Sequence, residues 1–281
     1  MGFFINILVC KLQNYEKVLN FASELTTFLK MISKNQQKFI RQLEQKKYRK
    51  REGLFVAEGT KVVGDLMKRY KPEAVFAIPQ WQAPEGVTPQ IVTDEELQHI
   101  SFQQHPQQVL ALFPIPSQEV GDPLAMLQDQ ALALALDGVQ DPGNLGTIIR
   151  IADWFGISTL ICSDDTVDAW NPKVVQATMG SLARVNIIYT SLSDLLDRLP
   201  DDYPVYGTFL DGKNIYTEPL TPGGLIIMGN EGNGISDEVR QRVNRRLLIP
   251  DFHQGDTADS LNVAIATAIT CSEFRRRGSQ V

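Results

Sequence analysis

The 281-residue sequence predicts an α/β protein of two domains, with a parallel sheet at the centre of the larger, C-terminal domain. Short apolar segments alternate with helix-like segments along most of the chain, and those of the second half are almost free of polar residues. Such strands are typical of a parallel sheet that helices cover on both faces. The polar stretch SQEVGDP, with its glycine and proline, predicts a linker at 117–125.

The first domain is predicted to cover residues 31–116. Its apolar segments predict strands at 54–59, 74–79, 89–93 and 108–116, and Val62, Val63, Leu66 and Met67 recur at helical spacing. Thr93 or Asp94 is expected to cap a second helix. The stretch 1–30 lacks a basic leader and a cleavage site, so we expect an upstream extension, with Met31 as the working start.

The second domain is predicted to cover residues 126–281. Strands are expected at 132–139, 158–163, 184–190, 204–210, 224–229 and 246–250, and helices at 144–155, 171–181, 192–199, 236–243 and 260–276. In sheets of this kind ligands bind beyond the carboxyl ends of the strands. The loops at those ends are therefore the place to look for a site.

Charge is distributed unevenly along the chain. The net charge is −6, yet the stretch 34–51 holds eight basic residues and one acid, and its charge of +7 leaves −13 for the rest. This asymmetry indicates a surface that faces a polyanion, or else the solvated face of a helix. There is no apolar run of membrane-spanning length, and three scattered cysteines do not make a disulfide framework or a metal site. We expect a cytoplasmic protein with no membrane partner and no metal.

The first candidate loop is LDGVQDPGNLGTIIRIADWFG, residues 136–156. Asn144 is predicted to cap a helix after the turn 141–143, with Ile148 and Ile149 facing the sheet. Arg150 then points away from the sheet, where it could reach a phosphate or a ribose oxygen. A surface arginine that covers its own helix is the alternative.

The second candidate loop is IIMGNEGNGIS, residues 226–236, in which three glycines follow a buried strand. Glycines let a backbone approach a ligand closely, although a tight turn would also need them. The spacing is neither a dinucleotide fingerprint nor a P-loop. A tight turn does not explain Glu231, a carboxylate placed among backbone donors.

The third candidate loop lies within LLIPDFHQGDTADSLNVAIATAI, residues 247–269. Ser260 is predicted to cap a long helix, with Leu261 and Asn262 in its first turn, where free backbone N–H groups can meet a ligand. Val263 and Ile265 are expected in the core. Three such loops at the ends of one sheet predict a binding site more strongly than any single loop does.

Together these three stretches resemble the motifs of the SpoU (TrmH-like) family of RNA ribose 2′-O-methyltransferases, in the SPOUT class. The resemblance covers about residues 131–276, with the motifs in order and at similar separations. The basic N-terminal part, with FVAEGTKVVGDLM, resembles the small ribosomal-protein-like domain that binds the RNA substrate in this family.

The resemblance implies a deep trefoil knot in the C-terminal domain, a homodimer, and S-adenosylmethionine as methyl donor without a metal. Its substrate would be RNA, with ribosomal RNA expected ahead of transfer RNA. By position the family's catalytic residues fall on Arg150, Asn144, Glu231, Asn230, Ser260 and Asn262. The cofactor contacts would be Met228, Gly229, Gly232, Gly234, Ile249, Pro250, Leu261 and Asn262. The RNA contacts are expected at Lys46, Lys47, Arg49, Lys50 and Arg51.

Several points stay open at the level of sequence. The loop before Ser260 is longer than the family's compact loop and adds His253, so contacts within 251–256 are left unassigned. The high pKa of arginine favours Arg150 as a phosphate clamp, with proton removal left open. Arg275–Arg277 could contact RNA or complement the helix terminus. A non-catalytic RNA-binding protein and an unrelated nucleotide-binding enzyme are the competing functions, although DPGNLG is not a phosphate loop.

Overall fold

The computed structural model describes residues 31–116, 122–127, 131–253 and 260–278. The expectations for residues 1–30 and for contacts at 254–256 lie outside these segments. The described chain forms two sheets, one of four strands and one of six. The predicted α/β class is confirmed, since the six-stranded sheet is parallel throughout and helices flank it.

The N-terminal domain packs helices against both faces of the four-stranded sheet. Its elements are α1 (Lys34–Gln42), α2 (Lys46–Glu52), β1 (Leu54–Glu58), α3 (Thr60–Met67), β2 (Ala74–Ala77), β3 (Gln90–Ile91), α4 (Asp94–Ile100) and β4 (Val109–Pro114). The strand order is β1-β4-β2-β3, with β4 antiparallel to both neighbours. Thr93 caps α4 through a capping box with Glu96.

The basic stretch forms two helices, α1 and α2. The break falls at Leu43, which is completely buried in the core of the N-terminal domain. The guanidinium of Arg49 donates to the carbonyl oxygens of Leu43 and Glu44, at 2.9 and 2.6 Å. These two contacts stabilise the bend between α1 and α2.

The C-terminal domain is built on the six-stranded sheet, in the order β10-β8-β9-β5-β6-β7. Its elements are α5 (Pro123–Leu127), β5 (Leu132–Asp137), α6 (Pro142–Trp154), β6 (Thr159–Cys162), α7 (Pro172–Ala177), a 3₁₀ turn (Ser181–Ala183), β7 (Asn186–Tyr189), α8 (Leu192–Leu196), β8 (Val205–Asn214), β9 (Gly224–Gly229), α9 (Asp237–Arg240), β10 (Arg245–Leu248) and α10 (Val263–Gly278). The end of the predicted linker overlaps α5, whose Leu127 is buried in this domain.

Helices α6 and α10 lie side by side on one face of the large sheet and run in the same direction. Asn262, just before α10, donates to Asn144 near the start of α6, and Arg275 near the end of α10 donates to the carbonyl oxygen of Phe155. Buried Ile148 of α6 belongs to the same core cluster as α10. Helices α8 and α9 cover the opposite face.

The hydrophobic core continues from one domain into the other. Phe55 of β1 packs against Trp170 of the C-terminal domain, with ring centroids 4.8 Å apart and the ring planes tilted by 40°. Cys162 and Cys271 are buried free thiols. None of the helices in the described segments is both long and apolar enough to cross a membrane.

Candidate functional site

Three loops meet at the carboxyl edge of the large sheet, where the topology reverses direction between β5 and β9. These two strands are neighbours, and Asp137 at the end of β5 pairs with Gly229 at the end of β9. The buried carboxylate of Asp137 accepts a hydrogen bond from the backbone of Ser236 at 2.7 Å, which ties the exit of the second loop to the first. The sheet therefore brings the first two sequence motifs into direct contact.

Asn230 shapes the second loop. Its backbone forms two hydrogen bonds with Gly234, at 2.9 and 3.0 Å, and its side-chain oxygen accepts from the backbone of Gly232 and Asn233. Its amide nitrogen donates to the carbonyl oxygen of Gly138 at 2.6 Å. A Cβ at Gly229 would lie 2.2 Å from the carbonyl carbon of Gly234, so glycine is required there. Asn230 thus holds the loop closed, with its side chain fully engaged.

Glu231 joins the second loop to the first. Its carboxylate accepts from the backbone N–H groups of Gln140 and Asp141, both at 3.2 Å, and from the side-chain amide of Asn144 at 3.0 Å. Partial burial acts to raise the pKa of this carboxyl, but the hydrogen bonds from Asn144 and the backbone outweigh it and lower the pKa. Glu231 is therefore ionised at neutral pH and acts as the acceptor that the first loop needs.

Asn144 extends this connection to the third motif. Its side-chain oxygen accepts from the amide of Asn262 at 2.9 Å, so the chain Glu231–Asn144–Asn262 links all three motifs. Asn262 in turn accepts from the backbone of Ala264 and Ile265.

The predicted helix caps at Asn144 and Ser260 are wrong. Helix α6 begins at Pro142, and Asp141 is its N-cap, accepting from the backbone of Asn144 at 2.8 Å. Proline suits the first helical position because that position needs no N–H donor, which moves the start two residues earlier. Helix α10 begins at Val263 with Asn262 in the capping position. Both asparagines keep amide groups for contacts between loops, which a cap alone would not require.

A cavity of 530 Å³ opens beside these loops, within the size range of small-molecule sites. Its lining includes six of the predicted cofactor residues and three of the predicted catalytic residues: Met228, Gly229, Gly232, Gly234, Ile249 and Leu261, and Asn230, Glu231 and Ser260. Apolar side chains therefore lie on the same wall as glycine backbone and polar groups. This combination suits a small-molecule ligand with both apolar and polar groups.

Some predicted residues do not line the cavity. Pro250 and Asn262 lie next in sequence to Ile249 and Leu261, which do. Asn144 contacts Glu231, which does line the cavity. Within the described chain, Arg150 also falls outside the lining, and its exposed guanidinium has no hydrogen-bond or ion-pair partner there.

Arg150 shares its exposed helix face with a large aromatic side chain. Trp154, one helical turn further along α6, is 85% exposed. Ile265 on the neighbouring helix α10 is 53% exposed, so the expectation that it belongs to the core is wrong. The residues of α10 that belong to the buried core include Val263, Ala264, Cys271 and Phe274. The pair of parallel helices thus presents an apolar surface with an arginine in it.

The five predicted RNA contacts separate into two groups. Lys46, Lys47, Lys50 and Arg51 are exposed on α2, and Lys47 and Arg51 lie over the ring of Tyr48 at 4.8 Å. The prediction for Arg49 is wrong: it is 2% exposed, and its guanidinium donates twice to Asp168 of the C-terminal domain, at 2.9 and 2.5 Å. A helix of seven residues necessarily turns one of them inward, and sequence alone does not identify which.

Sequence reasoning missed the wall of the cavity that β8 supplies. From β8, Thr208, Phe209, Leu210 and Asp211 line the cavity, and Arg240 of α9 lies beside Asp211. The guanidinium groups of Arg240 and Arg246 lie over the ring of Phe209, at 4.9 and 4.5 Å. A usable signal existed, since the strand predicted at 204–210 ends at the same sheet edge as the three motifs.

The remaining titratable candidates are accounted for by local contacts. His253 is exposed, and its backbone donates to Asp251 at 2.8 Å. Arg275 donates to the carbonyl oxygens of Phe155 and Gly156, while Arg276 and Arg277 pair with Glu273. These two arginines lower the pKa of Glu273 to about 2. The described segments contain no cluster of His, Cys, Asp and Glu that could hold a metal ion.

Comparison with known proteins finds similarity across both domains. The model of the SpoU rRNA Methylase family matches residues 131–272, and that of the MRM3-like substrate binding domain matches residues 34–111. The chain is 31% identical to the 23S rRNA (guanosine(2553)-2′-O)-methyltransferase RlmP of Bacillus subtilis over 253 residues, which are 86% of this chain and 97% of the relative.

Two solved structures are similar over nearly their whole length. A protein of the TrmH family from Porphyromonas gingivalis is 41% identical, with a TM-score of 0.78 over 88% of this chain and 99% of its own. An AdoMet-bound rRNA methyltransferase from Sinorhizobium meliloti is 32% identical, with a TM-score of 0.76 over 88% and 98%.

Proposed function

The chain belongs to the SpoU rRNA methylase family and is an RNA ribose methyltransferase, and from this premise we propose that it transfers the methyl group of S-adenosylmethionine to a ribose 2′-oxygen of ribosomal RNA. One observation carries the proposal. The chain Glu231–Asn144–Asn262 ties the three motifs together around a cavity of 530 Å³ at the carboxyl edge of the parallel sheet. The names of the relatives favour ribosomal over transfer RNA.

The residues of the cavity suit S-adenosylmethionine, which supplies an activated methyl group on a sulfonium. Met228, Ile249 and Leu261 offer apolar contacts, and the glycine-rich backbone at 229–234 can approach the cofactor closely. Glu231 and Asn230 keep that backbone in place through the hydrogen bonds described above. We assign these two residues to holding the loop, and Ser260 at the cavity wall to contact with cofactor or ribose.

Arg150 completes the site in a second copy of the chain. Its guanidinium is free of described partners and lies on the apolar face with Trp154 and Ile265, so a homodimer that buries this face would carry Arg150 toward the partner's cavity. There it would clamp the phosphate beside the target ribose and fix the alignment of oxygen, carbon and sulfur. An arginine is always charged at neutral pH, which suits a clamp better than a base.

The exposed cations of α2 provide the RNA surface. Lys46, Lys47, Lys50 and Arg51 lie on one helix of the domain whose family model is described as substrate binding. Neutralising them is expected to weaken RNA affinity and flatten its dependence on salt, because fewer counterions would be released.

The remaining expectations belong to the same proposal. The domains would extend over 31–116 and 126–281, joined at 117–125. The last segment would thread into a deep trefoil knot, which agrees with the return of α10 from the edge strand β10 to α6. The protein would act in the cytoplasm without a metal.

Two measurements test the proposal. Calorimetry should detect binding of S-adenosylmethionine by the purified protein, and mass mapping should find one ribosomal 2′-O-methyl group absent from cells without the gene. A protein that binds RNA tightly but neither binds the cofactor nor methylates would instead be a non-catalytic RNA-binding protein, and the proposal would be abandoned.

A further inference from the structure

A second cavity, of 360 Å³, lies between the two domains and plays no part in the site described above. One side is formed by α2 and by Arg69 and Tyr70, which follow α3, and the other by Trp170 and the edge strand β7. We call it the interdomain cleft. Its volume lies within the range of small-molecule pockets.

The floor of the interdomain cleft is already neutralised. Arg49 and Asp168 both line it and pair with each other, with side-chain exposures of 2% and 12%. Arg69 is also fixed, because it donates to the side chain of Asn186 at 2.6 Å and lies over the ring of Tyr70 at 5.2 Å. These contacts hold the two walls at one separation.

Two cations of the cleft are left over. Lys46 and Lys50 line it from α2, and neither has an ion-pair partner among the residues described. The other carboxylate of the lining, Asp164, lies at the exposed rim and has no partner within the described part of the chain. The six charged side chains that line the cleft sum to +2, so it favours an anion.

Two aromatic side chains complete the lining. Tyr70 is half-buried, burial raises the pKa of its hydroxyl, and within the described chain that hydroxyl has no hydrogen-bond partner. Trp170 packs against Phe55 and also lines the cleft. Aromatic rings stack on nucleic acid bases of any sequence, and lysines beside them bind the phosphates.

We propose that the interdomain cleft receives one unpaired nucleotide of the substrate RNA, with its base against Tyr70 and Trp170 and its phosphate between Lys46 and Lys50. This inference rests on the proposed function for its ligand, an RNA strand. The proposal adds an RNA contact to which both domains contribute side chains. RNA held there would be fixed relative to the methyl donor cavity, because Arg49 and Asp168 join the two domains directly below.

The first experiment measures binding of unmodified 23S rRNA, transcribed in vitro, by the full-length protein over a range of salt concentrations. Tyr70→Leu should bind about tenfold more weakly with an unchanged salt slope, since it removes stacking and no charge. Tyr70→Phe keeps the ring and should bind like the wild type. Equal affinities for Tyr70→Leu and Tyr70→Phe would overturn the proposal.

A matched pair of double variants separates the cleft from general electrostatics. Lys46→Gln/Lys50→Gln and Lys34→Gln/Lys38→Gln each remove two exposed lysines from the basic helices. If the cleft binds a phosphate, the first pair should cost several times more affinity than the second at the same salt concentration. Equal losses would mean that the lysines act only through the overall field.

The second experiment needs no substitution. The same RNA is made with 4-thiouridine, irradiated on the wild-type protein and digested for mass spectrometry. Cross-linked peptides containing Tyr70 or Trp170 are expected. Cross-links confined to other peptides, with methylation intact, would overturn the cleft and leave the proposed function standing. Absence of both RNA binding and methylation would remove the proposed function itself.

Discussion

Arg49 and Arg150, which the sequence predicts as an RNA contact and a catalytic residue, have opposite surroundings in the folded chain. Arg49 is buried at the domain interface and makes four hydrogen bonds, two to Asp168 and one each to the carbonyl oxygens of Leu43 and Glu44. Arg150 is exposed on α6 and has no partner among the described residues. A guanidinium whose donors are satisfied inside the chain has a structural role, whereas one left free on an apolar face is available to a ligand or a second subunit.

The same distinction applies to the surrounding regions. The contacts that join the two domains include Arg49–Asp168, Phe55–Trp170 and Arg69–Asn186. Because these contacts lie within the chain itself, the geometry of the interface does not depend on bound RNA. In the C-terminal domain, by contrast, large apolar side chains are exposed. Trp154, at the end of α6, is 85% exposed, and Leu261 and Ile265, around the start of α10, are 51% and 53% exposed. Large exposed apolar side chains indicate a surface that is completed by association, and Leu261 also lines the cavity.

Substitution of Arg150 should have the largest effect on activity. Arg150→Ala is expected to lower the single-turnover methylation rate at least about 100-fold, because a charged contact to the reacting region is lost. Its free energy of unfolding should change by less than about 0.5 kcal/mol, since the side chain is exposed. The rate is measured with RNA and cofactor saturating. Wild-type methylation by this variant would remove Arg150 from the mechanism.

Substitution of Arg49 should instead lower the stability of the protein and leave its cofactor affinity intact. Arg49→Met leaves Asp168 with its charge in a mostly buried place, so we expect a loss of about 3–5 kcal/mol in the free energy of unfolding. Urea denaturation measures it, and cofactor affinity should persist where the protein is folded. The double variant Arg49→Met/Asp168→Leu serves as control and should recover much of the stability. If Arg49→Met is as stable as the wild type, the pair does not hold the domains.

Substitution of Trp154 tests whether the surface around Arg150 is an interface. Trp154→Glu should convert the protein to a monomer in sedimentation and reduce methylation with it, because a charge opposes burial of that face. The unfolding free energy of the monomer should not fall, since Trp154 is 85% exposed. Trp154→Phe is the matched control and should stay dimeric. A wild-type protein that is monomeric at high concentration would contradict the dimer.

Substitution of Glu231 should have the smallest effect, a loss of folding stability that depends on pH. Its pKa lies below the ordinary value of 4.5 in the folded chain, so its stabilising contribution is complete above that value and is lost as the pH falls through the folded-state pKa. Glu231→Gln lacks this contribution. The difference in urea midpoint between wild type and variant should be constant from neutral pH to about 5 and shrink below 4.5. A difference that grows on acidification would contradict this assignment.

Much of the fold followed from local patterns. Each strand predicted in the C-terminal half is present within a few residues, because near-continuous apolar segments such as 224–229 form a strand only when both faces are covered. The placement of Ile148 and Ile149 in the core and of Arg150 outside it followed from helical spacing. The predicted caps at Asn144 and Ser260 failed, because the start of α6 at Pro142 makes Asp141 its cap and the start of α10 at Val263 makes Asn262 its cap.

The sequence by itself determined the α/β class, the order of the elements and the three polar loops, because apolar periodicity and turn residues act over a few neighbouring positions. Only the tertiary structure decided that Arg49 is buried, that Glu231, Asn144 and Asn262 form one chain of hydrogen bonds, and that Phe209 of β8 lines the cavity. These depend on contacts between residues tens of positions apart, whose distances are set by strand order and helix packing and leave no local pattern in the sequence.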